Sequence, residues 1–262
     1  MVYKKLNVLG TMSGTSLDGI DLSIINTNGK DVYKYIKTYY FKYPNIIVQK
    51  LSKGIKEFKI GQNNSLIELS NLITNFYSEK ILRISELKHV DLVGFHGQTI
   101  YHNPSMKKSI QLGSPQLLAN VLQKSVIFDF RSNDLNSGGQ GAPLAPIYHK
   151  FIIEKLDIEL PTCILNIGGI SNLTYWDGDH LIGFDTGPGN ALMDDYASRI
   201  FKKNFDNNGN HASKGSPILK EVKKFLQDDF FKKIPPKSLD RSYFKLVYSN
   251  LINKNYSIYD TM

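Results

Sequence analysis

Gly10-Thr11-Met12-Ser13-Gly14-Thr15-Ser16-Leu17-Asp18-Gly19-Ile20-Asp21 is the stretch whose reading settles the fold. It separates two short β-rich runs, Leu6 to Gly10 and Ile20 to Asn26, and an aromatic, β-branched run from Val32 to Tyr43 follows. Three such runs divided by Gly/Ser/Asp turns predict a three-stranded meander. Glycines permit a tight turn and let backbone N–H groups approach an anion, while the hydroxyls of Ser13, Thr15 and Ser16 add donors, so the turn suits phosphate. It lacks the Gly-Lys-Ser/Thr ending of a Walker A loop and the Gly-x-Gly-x-x-Gly spacing of a dinucleotide site. Composition alone favours a plain Gly/Ser-rich hairpin turn; Asp18 and Asp21 beside so many donors weaken that reading, and either carboxylate suits magnesium held through water.

Working outward, Ser65 to Leu87 carries apolar residues at helical spacing ahead of a buried-looking strand at Leu92 to Phe95. A further helix starts near Leu144. The pattern then restarts at Thr162 to Asn166 with a strand, a Gly-Gly turn and a second strand, Leu173 to Trp176. This weak internal repeat predicts α/β architecture in two similar lobes, 1–145 and 146–262, with a cleft between them. Asn190 is placed to cap a helix from Ala191 to Phe201, and Ser216-Pro217 to open another reaching about Leu226. Little chain remains after that, so the second lobe is expected to be incomplete.

At 262 residues and 41% hydrophobic content the chain can bury a substantial core, in one large domain or two modest ones. The formal charge of +8 is spread along the sequence, which points to a solvated lysine-rich surface and away from a nucleic-acid partner. Cys163, the single cysteine, cannot form an internal disulfide; its flank Thr162-Cys163-Ile164-Leu165 reads as a strand entering a core, and a reducing cytoplasm fits. No long apolar run suggests a leader or a membrane span.

Four more stretches carry polar chemistry. Asn166-Ile167-Gly168-Gly169-Ile170-Ser171-Asn172-Leu173 is a second glycine turn between strands, placed to grip a polyphosphate together with the first. Gly183-Phe184-Asp185-Thr186-Gly187-Pro188-Gly189-Asn190 puts Asp185 at a strand end before a rigid turn, where it suits a general base or, equally, an Asx-turn. Arg131, in Phe128-Asp129-Phe130-Arg131, offers a fork for carboxylate or phosphate; taken alone, an ion pair with Asp129 or Asp134 is the better reading. His96, Gln98 and Thr99 suit hydrogen bonding to a polyhydroxylated ligand, and the histidines are too isolated for zinc.

Taken in order, Gly10 to Asp21, Gly94 to Pro104, Gln111-Leu112-Gly113, Asp129-Phe130-Arg131, Gly138 to Pro143, Leu165 to Asn172, Gly183 to Asn190 and Pro235 to Phe244 resemble the 1,6-anhydro-N-acetylmuramic acid kinase family. The resemblance implies two ribonuclease-H-like lobes of the actin-like ATPase type, the second incomplete, in a cytoplasmic enzyme of cell-wall recycling. It implies ATP and Mg2+ as cofactors and an anhydro-muramic acid sugar as partner. The ATP-phosphate segment maps onto Gly14, Thr15, Ser16, Leu17, Asp18, Gly19, Ile20 and Asp21, with Asp18 a magnesium contact through water. A second phosphate hairpin uses Asn166, Gly168 and Gly169. The catalytic aspartate of the Asp-Thr-Gly-Pro-Gly-Asn motif falls on Asp185; Gln98, Thr99 and Arg131 are, on the residue reading above, the expected sugar contacts.

The family's Gly-Gly-Gly-x-x-Asn adenosine loop has no counterpart before Met262, and Leu239-Asp240 replaces its Thr-Gly. A catalytically silent sugar- or partner-binding remnant is therefore the alternative, and an actin-like kinase acting on a free hydroxyl is a third. An apolar face that promotes aggregation or a homodimer is also expected.

Overall fold

The computed structural model describes residues 4–14, 16–59, 61, 65–239, 243–252 and 254–262, in two compact units, Met1–Gly141 and Ala142–Met262. Thr15 and residues 240–242, named above, lie outside the described residues.

In the first unit β1 (Leu6–Met12), β2 (Gly19–Thr27) and β3 (Val32–Lys42) form the expected meander. Helices α1 (Asn45–Lys59) and α2 (Leu66–Leu82) then carry the chain back to β4 (Leu92–Phe95), which pairs in parallel with β1. The hairpin of β5 (Gln98–Asn103) and β6 (Lys108–Leu112) and helix α3 (Pro115–Leu122) precede β7 (Ser125–Phe128), parallel to β4, and short helix α4 (Ser132–Asn136) follows. The sheet order is β3-β2-β1-β4-β7. Helical crossovers are what make the β1–β4 and β4–β7 pairs parallel.

Burial follows the two periodicities. On β2, Ile20, Leu22 and Ile24 alternate inward, and on α2, Leu69, Ile73, Phe76, Tyr77 and Ile81 make one stripe. Both faces meet Leu9, Leu51, Val93, Phe95 and Leu118 in a single core. Ser114 caps α3 by accepting from Leu117 N–H, and its own N–H donates to buried Thr74, which ties α2 to α3.

In the second unit α5 (Pro146–Lys155) leads into an antiparallel sheet of β8 (Thr162–Ile167), β9 (Ile170–Trp176) and β10 (Leu181–Pro188), in the order β10-β9-β8. The β9–β10 turn is built on Asp177, which accepts from the N–H groups of Asp179 and His180 and is held down at about 2 chiefly by those bonds. On β8, Cys163 and Leu165 are exposed, so the strand expected at Thr162 exists but does not enter a core. Helix α6 (Asn190–Tyr196) continues as a π-turn through Phe201, and α7 (Leu219–Phe225) opens two residues after Pro217. Among the described residues no helix is long and apolar enough to cross a membrane.

Candidate active site

The β1–β2 connection holds the phosphate segment read from sequence. The register closes on Met12 opposite Asp21, so residues 13–18 form the loop. Asp18 organises it: one carboxylate oxygen accepts from Ser16 Oγ at 2.8 Å and from Gly19 N–H at 3.1 Å. Leu17 takes the left-handed conformation, φ 59, and turns its side chain into the core. Gly19 and Ile20 are buried as well. A Cβ on Gly19 would overlap the Phe41 carbonyl, so this glycine serves contact with β3. Of the expected phosphate residues, Ser16, Asp18 and Asp21 face solvent, Gly14 is half-buried, and Leu17, Gly19 and Ile20 have only backbone to offer.

Burial, and then the charge of Asp18, push the Asp21 carboxyl up. Two carboxylates that repel each other beside hydroxyl and backbone donors would reject bare phosphate and accept it with a divalent cation. Among the described residues no group of three or more His, Cys, Asp or Glu side chains could hold a metal. Asp18 and Asp21 are the carboxylates of this segment that could hold a divalent cation through water.

The second glycine turn, between β8 and β9, is built differently. Its Gly168 carbonyl accepts from Asn190 N–H at 2.7 Å, and its Gly169 carbonyl from Gly189 and Ala191 N–H at 3.0 and 3.3 Å. The turn thus satisfies the open N–H groups at the start of α6. Asn190, expected as the cap, is instead the first helical residue and donates through Nδ2 to Ile167 O at 3.2 Å, while Gly189 occupies the cap position. A Cβ at Gly189 would overlap Gly168 O, so this backbone approach needs glycine. Asn166 is exposed.

Asp185 lies on β10 where the ladder shifts: it opposes Asn172 and Gly187 opposes Ser171, leaving Thr186 as a bulge. A crossing segment brackets it. Its N–H donates to Lys237 O at 2.9 Å and its Oδ2 accepts from Leu239 N–H at 2.7 Å. The carboxylate is therefore held by an irregular segment 54 residues away, which replaces the Asx-turn reading. Burial raises its pKa to about 6 against the lowering pull of the Leu239 bond. Sequence reasoning gave residues 237–239 no role; Pro235-Pro236 ahead of them was the available signal.

Arg131 departs from its expected ion pair. Its guanidinium donates through Nη1 to Gly141 O and through Nη2 to His96 Nε2, the latter at 2.8 Å. Asp134 accepts from Gly141 N–H and Asp129 from Ser132 Oγ, so both carboxylates are spent on the backbone turn and the helix start. His96 Nδ1 faces Gly97 O at 2.8 Å, and since that carbonyl only accepts and Arg131 only donates, one neutral tautomer satisfies both. Burial and the Arg131 charge push the His96 pKa down to about 4. Arg131 is thus a cation whose Nε is buried without a partner among the described residues.

Thr99 Oγ1 accepts from Gln111, whereas Gln98, expected to touch sugar, is fully buried. Its Oε1 lies 2.6 Å from Ser13 Oγ and its Nε2 donates to Gly14 O at 3.0 Å and Thr99 O at 3.3 Å, so both ends of the amide are engaged within the first unit. A cavity of about 290 Å³ in the first unit is lined by His96, Gly97, Ser109, Gln111, Asp129 and Ser132, among others.

A mixed α/β chain with glycine turns between antiparallel strands in both units and an aspartate poised near neutral pH fits the phosphotransferase class. More narrowly, the family model described as Anhydro-N-acetylmuramic acid kinase matches residues 6–258, and the chain belongs to that family. It is 39% identical over 250 residues to the Anhydro-N-acetylmuramic acid kinase of Bradyrhizobium diazoefficiens, covering 91% of this chain and 68% of that protein. To the protein of the same name from Pelagibacter ubique it is 44% identical over 218 residues, covering 79% and 58%. To that of Nitrobacter winogradskyi it is 38% identical over 253 residues, covering 91% and 68%. An exopolyphosphatase-like protein of known structure aligns over 76% of the chain and 55% of its own at 11% identity and a TM-score of 0.41, too low to argue from.

Proposed function

We propose that the chain is a carbohydrate kinase that opens the bridge of 1,6-anhydro-N-acetylmuramic acid with water while transferring the γ-phosphoryl group of ATP, giving N-acetylmuramic acid 6-phosphate and ADP in the cytoplasm. The observation that carries the proposal is the Asp185 carboxyl, anchored by Leu239 N–H and raised to about 6. Such a group is mostly ionised near neutral pH yet basic enough to take a proton in the transition state.

Asp185 accepts a proton from the water whose oxygen attacks the anomeric carbon. The C1–O bond of the bridge breaks, and the freed 6-oxygen attacks the γ-phosphorus as ADP departs. Gly14, Thr15, Ser16 and Asp18 of the first turn, with Asn166, Gly168 and Gly169 of the second, position the phosphates, and Asp18 and Asp21 hold magnesium through water. When bound, magnesium neutralises charge on the phosphoryl oxygens. Arg131, a cation with no carboxylate partner among the described residues, reads the lactyl carboxylate of the sugar beside Thr99 and the His96-lined cavity. In this reading the two units are the ribonuclease-H-like lobes of the actin-like ATPase architecture.

The test is turnover of the anhydro-sugar with magnesium and ATP in 18O-water. The label is expected on the anomeric hydroxyl and absent from the phosphate. Label in the phosphate, or nucleotide hydrolysis indifferent to the sugar, refutes the mechanism. Binding of the sugar with no binding of nucleotide refutes the kinase reading altogether.

A further inference from the structure

The loop that follows β1 is held from below by two side chains that reach it from distant parts of the first unit. Tyr43, just past β3, places its N–H on Asp18 O at 2.9 Å and its hydroxyl 3.1 Å from Ser13 Oγ. Gln98, the first residue of β5, reaches Ser13 Oγ and Gly14 O. Proton accounting fixes the direction of these bonds. Gly14 O and Thr99 O can only accept, so the Gln98 nitrogen faces them and its oxygen faces Ser13. Ser13 then donates, its single hydrogen shared between Gln98 Oε1 at 2.6 Å and Gly19 O at 2.9 Å. The remaining acceptor site on Ser13 Oγ takes the Tyr43 hydroxyl proton. The result is a directed relay, Tyr43 to Ser13 to Gln98 to the Gly14 carbonyl, buried throughout its side chains. Aligned donors in such a chain strengthen one another, and each interrupted link leaves a buried polar group unmade. The Tyr43 phenol is pushed up to about 12, chiefly by burial, so the relay keeps its protons at any physiological pH.

We propose that Gln98 is a positioning residue for the phosphate turn: it fixes Ser13 and Gly14 so that the loop's outward donors keep one geometry, and it does not touch the sugar. This rests on the reading that residues 14–21 receive the nucleotide phosphates. The structural claim itself, that Gln98 anchors the loop, is tested without ligand.

Gln98→Met keeps length and near-equal volume but cannot hydrogen-bond. Hydrogen–deuterium exchange of the full 262-residue chain is expected to quicken at least about tenfold in peptides covering residues 10–22, as loss of one to two net bonds implies, while β4 and α2 peptides keep their protection. Calorimetry with a magnesium-bound non-hydrolysable ATP analogue is expected to show affinity weakened roughly tenfold, with affinity for the anhydro-sugar unchanged. Weakened sugar binding with unchanged nucleotide binding would make Gln98 a ligand and overturn the proposal. So would unaltered exchange in the loop, or loss of protection spread evenly over the first unit. If Gln98→Met does not fold, Tyr43→Phe, which cuts the first link and keeps the ring, reads the same two quantities. In Tyr43→Phe, loop exchange like wild type refutes the relay. If wild type binds no nucleotide, the phosphate reading fails, and the exchange experiment still decides the anchor.

Discussion

Replacing Asp185 by asparagine should destroy activity and at the same time stabilise the protein, and the second effect carries its own pH signature. Burial lifts the Asp185 carboxyl from its ordinary 3.8 to about 6, which corresponds to about 3 kcal/mol against the charged form. The residue keeps some solvent contact, so a discounted range of about 1.5–3 kcal/mol is the working magnitude. The native state holds the proton more tightly than the unfolded chain does. Its contribution is therefore complete below the unfolded value and is lost as pH rises from about 3.8 through about 6. Asparagine never ionises, and its side-chain oxygen can still accept from Leu239 N–H. Urea unfolding of both proteins across this range should show no difference near pH 3.5 and a gap opening to about 1.5–3 kcal/mol above pH 6.5, with the variant the more stable. A melting temperature higher by roughly 4–8 °C at about pH 8 is the same statement. Turnover should fall by about 10²–10⁴, as for loss of a general base. A pH-independent difference, or a variant less stable at about pH 8, would refute the claim that this carboxylate is held charged at a cost. Undiminished turnover would remove it from the base role.

Gly189→Ala places a methyl group against the Gly168 carbonyl and should cost about 2 kcal/mol or more in chemical denaturation, with α6 exchanging faster; a neutral result would show that the second glycine turn can retreat. His96 should show no titration by NMR between about pH 8 and 5, with the proton on Nδ1, because its pKa lies at about 4. Its folded value is depressed, so the stability it contributes is present above the ordinary 6.5 and lost as pH falls toward about 4. Arg131→Met removes the neighbouring charge and should move the His96 pKa upward; an unmoved pKa would mean burial alone sets it.

Much of the frame was readable because local periodicity encodes it. The Leu6 to Tyr43 meander, the helix from residue 65 and the strand at Leu92 follow from alternation, helical spacing and glycine turns, all within a few residues of one another. What failed was partner identity. Nothing in Asp185-Thr186-Gly187 announces that Leu239 supplies its hydrogen bond, and nothing around Arg131 shows that His96, 35 residues earlier, displaces the nearer aspartates. The exposure of β8 is hidden for a related reason: an apolar strand whose face is left uncovered has the same composition as one whose face is packed.

The inward turn of the Gln98 amide is a different case, because the sequence carries a sign of it. Gln98 and Ile100 stand two apart on β5 and share its buried face, so alternation already pointed the amide inward. Polar density near a glycine turn is therefore no measure of ligand contacts. A loop that must hold an anion in one geometry needs rigid support, and where that support lies under a short turn of small residues it has to be polar, because buried loop carbonyls and hydroxyls demand partners. Ser13, Tyr43 and Gln98 are spent in this way, as is the Nδ1 side of His96. What remains facing outward is a short set, Ser16, Asp18 and Asp21, with Gly14 half-buried beside them. If this loop receives phosphate as proposed, its specificity depends on how stiffly those few groups are held more than on how many polar residues surround them, and the proposed role of Gln98, a residue with no exposed surface, is to hold them.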